Sequence, residues 1–463
     1  MFKFYRYLFP GLIALVLGFR LGAILLIRPA PVFDEPIHLQ VAQQFGPGLP
    51  ALSLLRDYPS AAGPFFYVLF GNLGAPLGYD LTLLRVAVFA LAVGSLLLFY
   101  RVLRRLLPAD NPLPAVALLA TAPYFPALAG VFMTEHLALF LGLAALLWYL
   151  RFRGRGHPAD AVLSLLFATL AIYTRSYFIF LPVAFAINDI VAGRYWSIFH
   201  RWPRRPQSDS ATLTDSRLSP ATHPSSPSGA DRPSLIAHHS SLLGAALWLL
   251  PIVAFLPMAL LWRGLAPPSY QHKYHPGFEW QNASSLLIWT GVLFLPWVWR
   301  RLKPRHLVAL FAVPVVLLAP LPGLGITRSA LKLLPHPLAA MAACLLGIIG
   351  LLWYLQLAPS AIGRDTVSRE NGGQSHEGSR RTLAGTVPVF AVVSHSLRVA
   401  AIGALLLVAG LLVSGPAVYE RYLLPGVPLM LICARPGTRP GLALAWAVAL
   451  LPLALGHILH LAA

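Results

Sequence analysis

Residues 9–27, FPGLIALVLGFRLGAILLI, form an apolar run preceded by Lys3 and Arg6 and closed by Arg28-Pro29. About twenty apolar residues cross a bilayer core as a helix, so this stretch is expected to span a membrane. Its layout is that of a secretory signal, but its length and the lack of a small-x-small cleavage site favour a retained anchor. Similar runs recur near 82–100, 113–131, 136–150, 161–174, 176–190, 241–262, 284–299, 307–322, 338–356, 399–415, 422–434 and 441–460. The fold class that follows is all-α, a polytopic transmembrane helical bundle of about 11 to 13 spans. Composition points the same way: 57% of the residues are hydrophobic and 11% charged, with a mean hydropathy of +0.69. Soluble domains carry about 25% charged residues. The 42 Pro and 36 Gly imply kinked and broken helices, which lipid tolerates only where protein covers the freed backbone.

A net charge of +19 could suggest a nucleic-acid partner. Here the basic residues fall in short clusters between apolar runs, as membrane orientation requires, and no nucleic-acid-binding motif accompanies them. With the N-terminus inside, most Lys and Arg are cytoplasmic: Lys3 and Arg6, Arg101 to Arg105, Arg151 to Arg155, then the clusters at 194–232, 300–305, 364–398 and 435–439. Arg175 decides one span. A single helix over 161–190 would bury it at mid-bilayer, costing about 3 kcal/mol, so two short helices with Thr174-Arg175-Ser176 at an exoplasmic turn are expected. The two cysteines, Cys344 and Cys433, lie in apolar runs, which argues against a disulfide or a Cys-based metal site.

The chain divides into an N-terminal transmembrane module at 1–202 with its first exoplasmic loop at 29–81, central helices at 241–358 and C-terminal helices at 399–463. Between them, 203–240 and 359–398 hold segments rich in Ser, Pro, Thr, Gly and Arg that read as cytoplasmic loops.

No carboxylate falls at mid-bilayer in this topology. Seven stand at or beyond the exoplasmic edge: Asp34, Glu35, Asp57, Asp80, Glu135, Glu279 and Glu420. A carrier usually places ionisable groups deep in its spans; here they occupy one rim. In the first loop, residues 36–45 have an amphipathic pattern. Ile37, Val41 and Phe45 share one face, while His38, Gln40, Gln43 and Gln44 lie elsewhere. An interfacial helix is expected there, holding Asp34-Glu35 at the membrane surface, where a helix N-terminus also favours acids. Glu135-His136 could contribute to a divalent-metal site or shape an acceptor site, although no matching ligands are spaced around it. Tyr270, His272, Lys273, His275, Glu279 and Trp280 give the second exoplasmic loop groups compatible with sugar, as an aromatic belt also would.

FDEPIHLQVAQQF at 33–45, the Pro-Gly-aromatic stretch YPSAAGPFFYVLF at 58–70, MTEH at 133–136, TRS at 174–176 and YERYLLPGVPLMLI at 419–432 resemble the GT-C superfamily of polytopic membrane glycosyltransferases. That superfamily includes the protein O-mannosyltransferases, the aminoarabinose transferases and the dolichyl-phosphate-glucose α-1,2-glucosyltransferases. The Pro-Pro-Gly of the last group is here Ala61-Ala62-Gly63-Pro64. The likeness is strongest over the first 190 residues and moderate over the last 50.

The resemblance implies transfer of a sugar, with inversion, from a polyprenyl-phosphate donor to a glycan, lipid or protein acceptor at the exoplasmic face. In that scheme Asp34 is the general base and Glu35 its orienting partner or an alternative base. Arg175, Arg328, Lys332 and Arg421 could hold the departing lipid phosphate. Arg421 is favoured by its place in Glu420-Arg421-Tyr422, and His38, Glu135 and His136 are further candidate substrate contacts. Multi-pass insertion, with a bacterial inner membrane as the setting, completes the expectation. The rival readings are a lipid flippase or transporter and a non-catalytic membrane assembly protein.

Overall fold

The computed structural model describes residues 2–32, 34–122, 124–192, 244–271, 424–434, 436 and 440–462. These residues are helical with no strand among them. In lipid, a helix pairs its backbone groups within itself. Three helices are long and apolar enough to cross a bilayer: Tyr7–Ile27, Leu81–Leu106 and Glu135–Arg155. Shorter apolar helices include Pro158–Thr174, Ser176–Ile190 and Leu250–Trp262. The chain is an integral membrane protein built from helices.

The first helix, α1 (Phe2–Gly22), continues as one wider turn over Ala23–Ile27, and Arg28 ends it at φ 49°. Next come α2 (Glu35–Phe45), α3 (Leu52–Arg56) and α4 (Pro64–Gly74), which lie over one end of the bundle. That end is called outer below, and the arginine-rich end opposite it basic. Helix α5 (Leu81–Leu106) starts under the cap of Asp80, whose Oδ1 accepts from Leu83 N at 3.0 Å, and finishes on Arg104 and Arg105. Asp80 is therefore a helix cap rather than a spare rim acid.

The run expected at 113–131 as one span is instead broken. It forms α6 (Leu113–Thr121) and α7 (Tyr124–Leu128), followed by a non-helical stretch to Thr134. The first piece ends at Thr121, and the proline at position 123 of the sequence has no N–H to continue a helical ladder. The freed backbone is covered by protein: Phe132 N donates to the Glu35 carboxylate at 2.5 Å.

Helix α8 (Glu135–Arg155) returns to the basic end beside α5, and α9 (Pro158–Thr174) climbs back against it. Ser164 Oγ, donating to Ala145 O at 2.9 Å, pins this hairpin. At Arg175 the chain turns through one 3₁₀ turn, Ser176–Ile179, into α10 (Phe180–Ala192). The descent of α10 is fixed at the basic end, where Asp189 Oδ1 accepts from Tyr149 at 2.6 Å and Arg153 at 2.7 Å. Arg175 thus sits at a turn at the outer end. Helices α11 (Leu250–Trp262), α12 (Gly426–Ala434) and α13 (Pro440–Ala462) complete the description, with α13 packed against α1, α6 and α7. The expected spans between 284 and 415, both long polar loops and the domain divisions that depend on them lie outside the described residues.

Two features hold the outer layer down. Helices α2 and α4 approach so closely that a Cβ at Gly46 would lie 2.2 Å from the Gly71 carbonyl oxygen, and one at Gly71 would lie 2.6 Å from that of Ala42. The second feature is a buried ion pair. Arg85, four residues into α5, donates from Nε to Glu35 Oε1 at 2.9 Å and from Nη2 to Oε2 at 2.5 Å. It also donates to the carbonyls of Pro29 at 2.6 Å and Ala30 at 3.0 Å. Removing one partner of a buried pair strands the other charge and costs about 3–5 kcal/mol. Arg85→Ala should therefore lower the thermal unfolding temperature of the detergent-solubilised protein sharply. The double replacement Glu35→Leu with Arg85→Leu should recover part of that loss, because no unpaired charge remains. An Arg85→Ala protein as stable as the parent would show that the pair does not anchor the layer.

Candidate functional site

The polar groups of the outer layer converge on a small open cleft lined by Asp34, Ile37, His38, Pro59, Ser60, Ala61, Arg175 and Tyr270. Each wall has a local origin. Pro36 at the first turn of α2 starts a helix directly after Asp34, leaving Asp34 half-exposed at the cleft. The Glu35 side chain turns the other way, fully buried against Arg85.

The two acids of the pair therefore do different things. Glu35 accepts four hydrogen bonds, two from Arg85, one from Val32 N at 2.9 Å and one from Phe132 N. An ionised carboxylate has about four acceptor positions, so Glu35 has none left to take a substrate proton. It fixes the start of α2 and with it the position of Asp34.

His38 departs from the expected pattern. Instead of the polar side of α2, it occupies the buried side with Val41, Ala42 and Phe45. The reason is a partner that hydrophobic periodicity does not reveal. Tyr67 on α4 donates to Ser60 Oγ at 2.5 Å, and its hydroxyl oxygen meets His38 Nδ1 at 2.6 Å. Tyr58 closes the same knot by donating to Ala62 O at 2.6 Å. The rings of Phe45, Tyr58 and Tyr67 pack mutually at 5.3 to 5.5 Å between centroids. Burial pushes both phenols above their ordinary value.

The opposite wall comes from the far hairpin. Arg175 Nη2 donates to Glu135 Oε1 at 2.6 Å, and both side chains are buried. The Gly63 N–H donates to Thr174 O at 2.9 Å, joining the Ser60 segment to the end of α9. The contact is close enough that a Cβ at Gly63 would lie 2.0 Å from the Tyr173 carbonyl oxygen. The stretch 262–271 lies over this wall: Trp262 Nε1 donates to Leu55 O at 2.8 Å, Ser269 Oγ to Tyr58 O at 2.9 Å and Ser269 N to Asp57 Oδ1 at 2.9 Å.

Of the residues singled out from sequence, Asp34, His38, Arg175 and Tyr270 meet in the cleft, with Glu135 one contact behind. Glu135 and His136 do not act as a pair. While Glu135 is held by Arg175, His136 Nε2 meets Phe125 O at 3.1 Å and its ring packs edge-on against Phe125. No group of three or more His, Cys, Asp or Glu positioned to hold a metal occurs among the described residues. Arg328, Lys332, Glu420, Arg421 and Tyr422 lie outside them. Sequence reading passed over Arg85, Ser60 and Tyr67. A lone arginine inside an apolar run is the signal that could have found Arg85; Ser60 and Tyr67 lie within the 58–70 stretch, where nothing local marks either residue.

Fold and site together define a helical integral membrane protein with a polar cleft at one rim. Neither the known family models nor the curated proteins contain a match to this chain. Among solved structures it is similar to ArnT from Cupriavidus metallidurans in the apo state, at 15% identity and a TM-score of 0.38, over 94% of this chain and 76% of that one. The form of ArnT bound to undecaprenyl phosphate gives a TM-score of 0.37 at the same identity, over 94% and 77%.

Gly63→Ala should cost about 1–3 kcal/mol through overpacking, seen as a lower unfolding temperature. An unchanged value would show that the wall yields freely. Alkaline titration tests the knot. Because the folded state keeps the protons of Tyr58 and Tyr67 above the pH at which the unfolded chain releases them, stability should fall as pH rises past about 10. Replacing both with Phe should remove that part of the decline.

Proposed function

We propose that the protein is a GT-C-type glycosyltransferase that moves a sugar, with inversion, from a polyprenyl-phosphate donor to an acceptor at the exoplasmic face. The observation that carries this reading is the convergence of the Asp34 carboxylate, His38, Ser60 and the Arg175 guanidinium on one cleft at the membrane rim. The residue likeness at 33–45, 58–70, 133–136 and 174–176 supports it. A rim cleft suits two substrates of opposite solubility, a lipid-borne donor arriving within the bilayer and a hydroxyl acceptor arriving from water.

In the proposed reaction the acceptor oxygen attacks the anomeric carbon from the side opposite the phosphate. Its proton passes to Asp34 as the new C–O bond forms, the old C–O bond to phosphorus-bound oxygen breaks, and polyprenyl phosphate departs with the bonding pair. A positioned base of this kind contributes about 10²–10⁴-fold to rate. Negative charge grows on the leaving phosphate, and a preorganised cation is the effective response. Arg175, held still by Glu135, fills that place, with Arg328, Lys332 and Arg421 of the Glu420-Arg421-Tyr422 segment as further proposed phosphate contacts. His38 and Ser60 are placed to orient sugar or acceptor hydroxyls. Basic clusters concentrated at the opposite end support an N-terminus inside a bacterial inner membrane.

The test compares membranes carrying the parent chain with membranes carrying Asp34→Asn, offered radiolabelled polyprenyl-phosphate sugars and an extract of candidate acceptors. Transfer by the parent and a loss of at least about 10²-fold in the variant are expected, with no change in unfolding temperature. Equal transfer by both proteins would remove Asp34 as the base. Absence of transfer from every donor, with lipid translocation in the same membranes, would replace the enzyme reading with that of a transporter.

A further inference from the structure

The basic end carries a charge arrangement for which the cleft has no use. On α5, Arg101, Arg104 and Arg105 are spaced to share one helix face, and Arg151 and Arg155 on α8 are related in the same way. Helices α5 and α8 run side by side in the same direction, so the two stripes arrive together. A Cβ at Gly154 would lie 3.5 Å from Arg105 Nη1, and Arg105 stands in the fields of both Arg155 and Arg151, opposed by that of Asp160.

Carboxylates answer only part of this charge. Asp160 lies 3.4 Å from Arg151, and Asp189 holds Arg153 at 2.7 Å while also accepting from Tyr149 and Trp248. No ion pair to Arg101, Arg104, Arg105 or Arg155 is formed among the described residues. The C-terminal dipoles of α5 and α8 favour single cations there. They do not account for two adjoining stripes, in which like charges at i,i+4 repel.

Two details set the depth of the patch. Arg151 stacks 3.9 Å from the centroid of the Trp148 ring, an aromatic–cation pair suited to the membrane–water boundary. One turn before Arg101, on the same face of α5, Leu97 is 60% exposed. The surface therefore passes from open apolar helix to unpaired guanidinium within one turn.

We propose that this surface binds an anionic phospholipid whose headgroup carries two phosphates. One phosphate meets Arg101 and Arg104, the other meets Arg105 and Arg155, and the acyl chains follow α5 past Leu97. Guanidinium forks bind phosphate bidentately, and basic pockets between spanning helices take such headgroups. The exposed Leu97 face favours a lipid over a soluble anion.

The experiment uses the full chain in neutral detergent. Its unfolding temperature and the lipid it retains are measured with tetra-acyl diphosphatidylglycerol, phosphatidylglycerol at equal phosphate, phosphatidylcholine and inorganic pyrophosphate. The diphosphate lipid should raise the unfolding temperature most and be retained near one per chain. Arg105→Gln with Arg155→Gln should weaken retention about thirtyfold while unfolding like the parent in phosphatidylcholine. Arg101→Gln with Arg104→Gln, on exposed positions, gives the same reading independently of folding. Equal retention by parent and both double variants overturns the proposal, as does equal stabilisation by the monophosphate lipid or by pyrophosphate.

Discussion

The Arg85–Glu35 pair is the constraint on which the outer half of the molecule depends. Arg85 enters from a membrane-spanning helix, and its four donated hydrogen bonds go to the Glu35 carboxylate and to the chain leaving α1. Glu35 in turn accepts from Phe132 in the broken stretch after α7. Three segments distant in sequence are thus tied to one guanidinium–carboxylate contact in a place water does not reach. Such a pair adds little net stability over apolar packing, but it is costly to break. Its consequence here is positional: it turns Glu35 inward and leaves Asp34, the adjacent residue, at the cleft.

The remaining walls follow the same logic of close approach plus satisfied polar groups. Small residues at Gly46, Gly63 and Gly71 let backbone meet backbone, and Tyr67 resolves the polar demands of His38 and Ser60 together. Arg175 is presented at a helix turn and steadied by Glu135. Under the proposed reaction, such a site benefits from groups that do not have to reorganise when charge develops. The basic end differs in that Arg101, Arg104, Arg105 and Arg155 form no ion pair among the described residues, beside the Asp189 network that holds Arg153.

How much of this was legible depended on whether a signal is local. Apolar runs report spans because about twenty residues must each avoid exposing polar atoms to lipid, and α5, α8 and the turn at Arg175 stand where composition placed them. The break in 113–131 was not legible from its apolar composition, which stays uniform across a region that folds as two short helices and a non-helical stretch whose Phe132 N–H is met by the remote Glu35. The amphipathic pattern of 36–45 located α2 but put His38 on the wrong side, because a histidine counts as polar until a buried hydroxyl is found to receive it.

By itself the sequence determined the class of molecule and such long apolar helices as α5 and α8, since these follow from the free energy of placing each residue in lipid or water. Tertiary structure decided which of two neighbouring acids faces the cleft. It also brought Tyr67 and Ser60 to His38, and joined Glu135 to Arg175 across 40 residues. Those outcomes depend on partners remote in the chain, and only packing, which balances desolvation against specific hydrogen bonds, selects among them.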